Sequence, residues 1–283
     1  MGIDIHALNF ITYASRKKRL GKVATIGRQG LMIPRDITEF GYCCEKLLAE
    51  RFGATLVDSY DYSSYEGATY VVDMNKPLIP GKEYDTVIDC GCVEHIYNAP
   101  QALRNISLLC PPGGQIVHVL PANNFCGHGF WQFSPELFFS LYSQANGYSE
   151  TEIFLADLTN HHAWFEVMRP MNGKRAEVIS KQPLYVLCRT VKGSDFSHEN
   201  VQQSDYVHTW SQYQTVQDCG QATALLKRVI KKNYWVYRLA LSMYQIIRES
   251  VHRVRNPKTL SNRNQHLRRR NVSKFLAMTQ ITS

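Results

Sequence analysis

The stretch YDTVIDCGCVEHIYNAPQALRNISLLCPPGGQIVHVLPANN, residues 84–124, decides the fold. Its first seven residues form a short apolar run bounded by polar residues and glycine, the pattern of a strand buried on both faces. A helix is expected over 101–110. It must end at Pro111-Pro112-Gly113-Gly114, because proline cannot continue a helix and glycine permits the reversal. A second buried strand follows over Gln115–Leu120. Strand, helix, strand in so short a span describes a parallel unit, since parallel neighbours need a crossover.

Working outward, the alternation continues in both directions. Toward the N-terminus, Lys22–Gly27, Ala54–Asp58 and Thr69–Asp73 read as strands, and Asp36 is placed to cap a helix over 37–53 that closes at Gly53. Toward the C-terminus, Ser134 and Pro135 open a helix, and late strands are expected over 152–156 and 183–189. The fold class is therefore α/β, with a Rossmann-like, doubly wound sheet. The expected divisions are a body over 1–191, a polar linker or surface segment over 192–220, and a basic, mostly helical extension over 221–283. In such sheets ligands sit beyond the carboxyl ends of the strands. The residues to examine are Gly27–Gly30, Asp58–Ser63, Asp73–Asn75, Cys90–His95 and Pro121–His128.

Charge divides the chain the same way. Its 283 residues carry 32 Lys and Arg against 24 Asp and Glu, a net charge of +8. Residues 1–220 hold 18 basic and 23 acidic side chains, whereas 221–283 hold 14 basic and only Glu249 as an acid. The basicity belongs to the tail. There, Tyr234, Trp235, Tyr237 and Leu239 among lysines and arginines fit peripheral contact with an anionic membrane. The stripe of Leu225, Leu226, Val229 and Ile230 fits packing on the body or on a second copy. Nucleic acid is disfavoured as a partner, because the body carries excess acid and Arg268-Arg269-Arg270 lies in no recognisable motif. Eight cysteines without a Cys-x-x-Cys pair indicate reduced thiols in the cytoplasm. No stretch reaches the ~18–20 apolar residues of a spanning helix. The first charges follow the N-terminal apolar run, the reverse of a secretory signal.

Residues 84–124 resemble the second half of a class I S-adenosylmethionine-dependent methyltransferase, with Asp85 opening a strand, Glu94-His95 after it and a Pro/Gly-Gly turn before the next. The order of elements over 22–189 is similar too, and the two late strands would complete a seven-stranded, mostly parallel sheet. The stretch GHGFWQFSPELFFSLYSQANGY, residues 127–148, resembles a sub-group of bacterial methyltransferases, several linked to cell-surface sugars. The resemblance implies S-adenosyl-L-methionine as cofactor and methyl transfer to a small-molecule or glycan acceptor, at oxygen. It implies that Asp61, in Asp61-Tyr62-Ser63, holds the ribose diol, with Asp58 second. It places Asp73 and Met74 at the adenine, Cys90, Gly91 and Cys92 beneath the sulfonium, and Gly27, Arg28, Gln29 and Gly30 at the methionine end. The first turn departs from the family pattern: Thr25 stands where an acid belongs, Gln29 replaces the second glycine and Gly30 comes one place late. Arg28 could meet the cofactor's carboxylate through a bidentate fork. A non-catalytic member that lost this motif, and a nucleic-acid methyltransferase using the tail, are the alternatives.

For the acceptor, His95 and His128 are candidate bases because imidazole titrates near neutrality. Glu94 is a third candidate base or a helix cap. His128, His162 and Trp164 are expected to line the acceptor pocket. No metal is expected, since no two histidines lie at i, i+4 on a helix and no Cys-x-x-Cys accompanies them.

Overall fold

The computed structural model describes residues 2–213, 238–239, 242–243 and 258–279. Its first elements are β1 (Gly2–Ile3), α1 (Ile5–Lys17), β2 (Lys22–Ile26) and β3 (Gly30–Leu31). Then come α2 (Pro34–Phe40), α3 (Cys44–Phe52), β4 (Leu56–Asp61), β5 (Tyr70–Val71) and β6 (Thr86–Cys90). The middle is α4 (Ala99–Leu109), β7 (Gln115–Asn123), α5 (Pro135–Leu141), β8 (Tyr148–Asp157), β9 (Ala163–Val167) and β10 (Leu184–Lys192). The chain closes with α6 (Ser204–Tyr213), β11 (Leu267–Asn271) and a last described helix, α7 (Val272–Met278).

The main sheet has nine strands in the order β11-β9-β8-β10-β7-β6-β2-β4-β5. From β5 to β7 every pairing is parallel, whereas β10, β8, β9 and β11 are joined antiparallel. Seven of the nine strands consequently point one way. The seven expected strands take the order 3-2-1-4-5-7-6, counted along the chain from β2, and β9 and β11 extend one edge. All five residues of β6 are buried, as a run without polar alternation requires. One face is covered by α4 and α5, whose Leu103, Ile106 and Phe138 join its core. The other is covered by α1 and α3 through Phe10, Ile11 and Leu47. Helices on both faces make the sheet doubly wound.

Three local expectations change. The helix over 37–53 is broken into α2 and α3 at Gly41, which sits at φ +85, and Asp36 is no cap but a buried partner of Arg51 at 3.1 Å. The segment 192–220 is tied to the body where described: β10 runs to Lys192, and α6 opens with the Ser204 amide donating to Glu136 at 2.8 Å. Finally, Arg268-Arg269-Arg270 belongs to an edge strand, not to a separate helical extension. In β11 it pairs antiparallel with β9, and Arg270 meets Glu166 at 2.5 Å. The following α7, capped by Asn271, stacks Phe275 on Tyr13 of α1 with ring centroids 5.1 Å apart. The stripe 225–230 and Trp235 lie outside the described residues. Among the described residues no helix is long and apolar enough to cross a membrane.

Candidate active site

The carboxyl ends of β2, β4 and β6 lie side by side, and the space beyond them is the crevice in which such sheets hold ligands. At the β6 end, Gly91 adopts φ +83 and turns the chain into a single 3-10 turn, Val93–His95. Asp89 anchors that turn. Its Oδ1 accepts from the amides of Cys92 at 3.0 Å and Val93 at 3.4 Å. Its Oδ2 lies 2.9 Å from His118 Nδ1, and His118 Nε2 lies 2.7 Å from the Tyr142 hydroxyl. All three side chains are buried, so this relay braces the end of β6 against β7 and has no access to a ligand. The sequence hint was a lone histidine in an otherwise apolar strand.

A second loop docks on the turn. The amides of Phe130 and Trp131 donate to the Glu94 carbonyl at 2.7 and 3.2 Å. Gly129 makes this approach possible: it sits at φ +70, and a Cβ there would lie 2.8 Å from the Glu94 carbonyl oxygen. The docking brings His128 Nε2 to 3.4 Å from Glu94 Oε1, while His95 Nε2 lies 3.7 Å from the same oxygen. The two imidazole rings are 4.8 Å apart, centroid to centroid. Glu94 is 1% exposed and its Oε2 has no partner. Burial, then Asp89, pushes its carboxyl up to about 8, and burial, then His128, holds His95 below the usual imidazole range. His95 and His128 are open to solvent on their outer sides. The three sequence candidates for acceptor chemistry are thus together. Spacing along the chain gave no reason to expect a metal here, yet Glu94, His95 and His128 offer three ligand atoms within 4.8 Å of one another.

Across the crevice, the first turn is closed on itself. Gly27, at φ +72, donates its amide to the Tyr60 carbonyl at 2.7 Å, and the Arg28 amide donates to Asp61 Oδ2 at 2.9 Å. A Cβ on Gly27 would lie 3.3 Å from Cys92 Sγ, so the turn abuts the end of β6. Gln29 is buried; its amide nitrogen donates to the Ile26 carbonyl at 2.6 Å, and its Oε1 has no partner. Thr25 Oγ1 is likewise buried and unpaired. Gly30 does not continue a glycine turn. It opens β3, which pairs with β1, and the chain returns to place the Cys44 amide 3.0 Å from the Gln29 carbonyl. An excursion over 30–43 therefore separates Gln29 from α3, which accounts for the displaced glycine.

Several expected cofactor contacts are spent elsewhere. The Arg28 guanidinium bonds Glu45 at 2.8 Å, the Gly67 carbonyl at 2.8 Å and the Glu66 carbonyl, so it is not free for a ligand's carboxylate. Asp58 is buried against Tyr84 at 2.8 Å and Lys82 at 3.1 Å, which removes it as the second ribose choice. Asp73 closes its own turn on Asn75 at 2.8 and 3.0 Å, and Met74 is buried over Asn105. Cys90 is fully enclosed. Asp61 is half-buried, and beyond the Arg28 amide it receives only a 3.4 Å contact from the Ser63 amide. What remains is a carboxylate suited to a diol and two unpaired buried acceptors suited to an ammonium group. That donor set fits S-adenosylmethionine in kind.

Two acceptor candidates are displaced. Trp164 is fully buried in β9, packed edge-on to Phe10 at 5.6 Å on the α1 face of the sheet, and is a core residue. His162 precedes β9, three strands beyond β7 in the sheet, where it lies exposed against His161. The structure does not join either to Glu94.

The chain is thus a doubly wound α/β fold with its sheet in the order 3-2-1-4-5-7-6 and two further strands at one edge. No protein-family model and no curated protein sequence matches it. Solved structures similar to it include the N-methyltransferase NodS from Bradyrhizobium japonicum, 13% identical over 67% of this chain and 94% of that one, with a TM-score of 0.41. Another is an O-methyltransferase from a trans-AT PKS multienzyme of Brevibacillus brevis bound to S-adenosyl-L-homocysteine, 14% identical over 65% and 72%, with a TM-score of 0.41. A third is an rRNA methylase from Streptococcus thermophilus, 9% identical over 69% and 99%, with a TM-score of 0.37.

Proposed function

We propose that the chain transfers a methyl group from S-adenosylmethionine to an oxygen of a small-molecule or glycan acceptor. The observation that carries this reading is the 2.9 Å bond between Asp61 at the end of β4 and the Arg28 amide in the turn after β2. It holds Asp61, the acid read here as the diol ligand, beside the turn after β2. Asp61 would hold the ribose hydroxyls, and Gln29 and Thr25 would accept from the amino group. When bound, the cofactor supplies a methyl group on a positively charged sulfur. The chain's part is to align an acceptor oxygen in line with that carbon and to ease its proton away. The Glu94, His95 and His128 group, whose two histidines are open to solvent, is where the hydroxyl would lose that proton. The acceptor's identity, and contact of the basic segment 221–283 with anionic membrane, are further parts of the proposal.

Calorimetric titration of the full chain with S-adenosylmethionine and S-adenosylhomocysteine tests the reading. Heat with both ligands is expected, abolished by Asp61→Ala. A folded protein giving no heat with either ligand would overturn it, and the non-catalytic alternative would stand.

A further inference from the structure

We infer that Glu94, His95 and His128 form a binding site for a divalent transition-metal ion. The role given to the ion at the acceptor oxygen rests on the proposed methyl transfer; the site itself does not. Its geometry is that of ligands rather than of a hydrogen-bonded relay. His128 Nε2 and His95 Nε2 stand 3.4 and 3.7 Å from Glu94 Oε1, and neither makes a hydrogen bond to it. Ion–ligand bonds of about 2.0–2.2 Å place ligand atoms about 3.3–3.6 Å apart in a tetrahedron, so the 3.4 Å separation of His128 matches and the 3.7 Å separation of His95 lies just beyond it. All the ligand atoms lie within 4.8 Å of one another, and the half-exposed histidines have room to close the remainder.

The second observation is independent of spacing. Glu94 is 1% exposed, and its Oε2 has no partner. A buried carboxylate oxygen without a donor is costly, and an ion bound by the carboxylate would offset that cost. The support beneath it is rigid, because Asp89 fixes the turn and Gly129 fixes the docked loop. Two imidazoles and one carboxylate are the donor set of catalytic zinc and of non-haem iron sites, and they leave coordination positions free. Those positions face solvent, where an acceptor hydroxyl could bind. There an ion would lower the hydroxyl's pKa, and the proton would pass to water, with no change in oxidation state. The acceptor class this favours has two oxygens that can chelate, such as a vicinal diol or a hydroxy acid.

The test is titration of the full, reduced, chelator-treated chain with Co²⁺ and Zn²⁺. One equivalent of Co²⁺ is expected, with visible ligand-field bands and no thiolate charge-transfer band. Glu94→Gln and His128→Ala should each weaken Zn²⁺ binding at least about tenfold. The double variant His161→Ala/His162→Ala should bind as the parent does. Matching circular dichroism among the variants separates lost binding from lost folding. No Co²⁺ band, a thiolate band, or parent-like binding by His128→Ala would each overturn the site. Heat with S-adenosylhomocysteine without Co²⁺ binding would retire the ion and leave methyl transfer standing; Co²⁺ binding without that heat would do the reverse.

Discussion

The two sides of the crevice handle their polar groups in opposite ways. On the Gly27 side the chain bonds mostly to itself: Arg28 spans to Glu45 and Gly67, Asp61 takes the Arg28 amide, and Gln29 folds back on Ile26. On the Glu94 side three titratable groups converge without hydrogen bonds among them, over a turn braced from below by Asp89 and His118. The first arrangement fixes the shape of a turn. The second holds groups ready for a ligand, at the expense of leaving a buried oxygen unpaired. Even on the Gly27 side the two residues that depart from the family pattern, Thr25 and Gln29, each keep one buried oxygen unpaired.

The strongest way to break the contrast is to remove the brace. Asp89→Ala leaves His118 Nδ1 without its partner and frees the Cys92 and Val93 amides, and it should cost about 3–5 kcal/mol in denaturant unfolding. A loss below 1 kcal/mol would show that the turn does not depend on it. Next comes Gly129→Ala, which combines a left-handed backbone with a 2.8 Å approach to Glu94. It should cost about 1–3 kcal/mol and lower methyl transfer, while S-adenosylhomocysteine binding at the Gly27 side is kept. Loss of that binding would mean the two sides are not separable.

A smaller effect concerns pH. Beyond the acceptor loop, His198 is held down to about 4 by burial, then by Arg104 and Lys192, and hydrogen-bonds Ser107 and Tyr148. Its folded pKa lies below its unfolded value near 6.5. The unfolded chain therefore takes up the extra proton between these values, and stability should fall as pH drops from about 6.5 to about 4. His198→Gln should flatten that part of the stability profile; an unchanged slope would rule the histidine out. The smallest perturbation uses thiols, with no expected effect on folding. Cys126, exposed in the acceptor loop, should alkylate at least about tenfold faster than Cys92, whose thiol burial pushes well above its ordinary range. Peptide mass mapping after iodoacetamide reads both. Equal rates would mean that the β6 end is as open as the loop.

How much of this was legible in the sequence follows from the physics of each element. The parallel half of the sheet was, because β6 and β7 are apolar runs closed by glycine and proline. The edge strand β11 was not, because three arginines in a row carry no alternation and only Leu267 and the following Val272 are buried. Glu94, His95 and His128 could be named, since they follow strand ends. Their convergence depends on Gly129 approaching a carbonyl 35 residues away in sequence, which no spacing rule contains. Trp164 was assigned to the acceptor pocket because the resembled family builds that pocket between its late elements, but strand pairing turned it into the α1 face. Arg28 and Asp58 were assigned to a ligand because their partners Glu45, Gly67 and Tyr84 are distant along the chain.

In the proposed function one side of the crevice holds the methyl donor and the other acts on the acceptor. Titrating S-adenosylhomocysteine into the parent chain, Asp61→Ala and His128→Ala tests it most directly. The expected result is binding by the parent, its loss in Asp61→Ala, and unchanged binding in His128→Ala. Equal binding by parent and Asp61→Ala, or none by the folded parent, would contradict it.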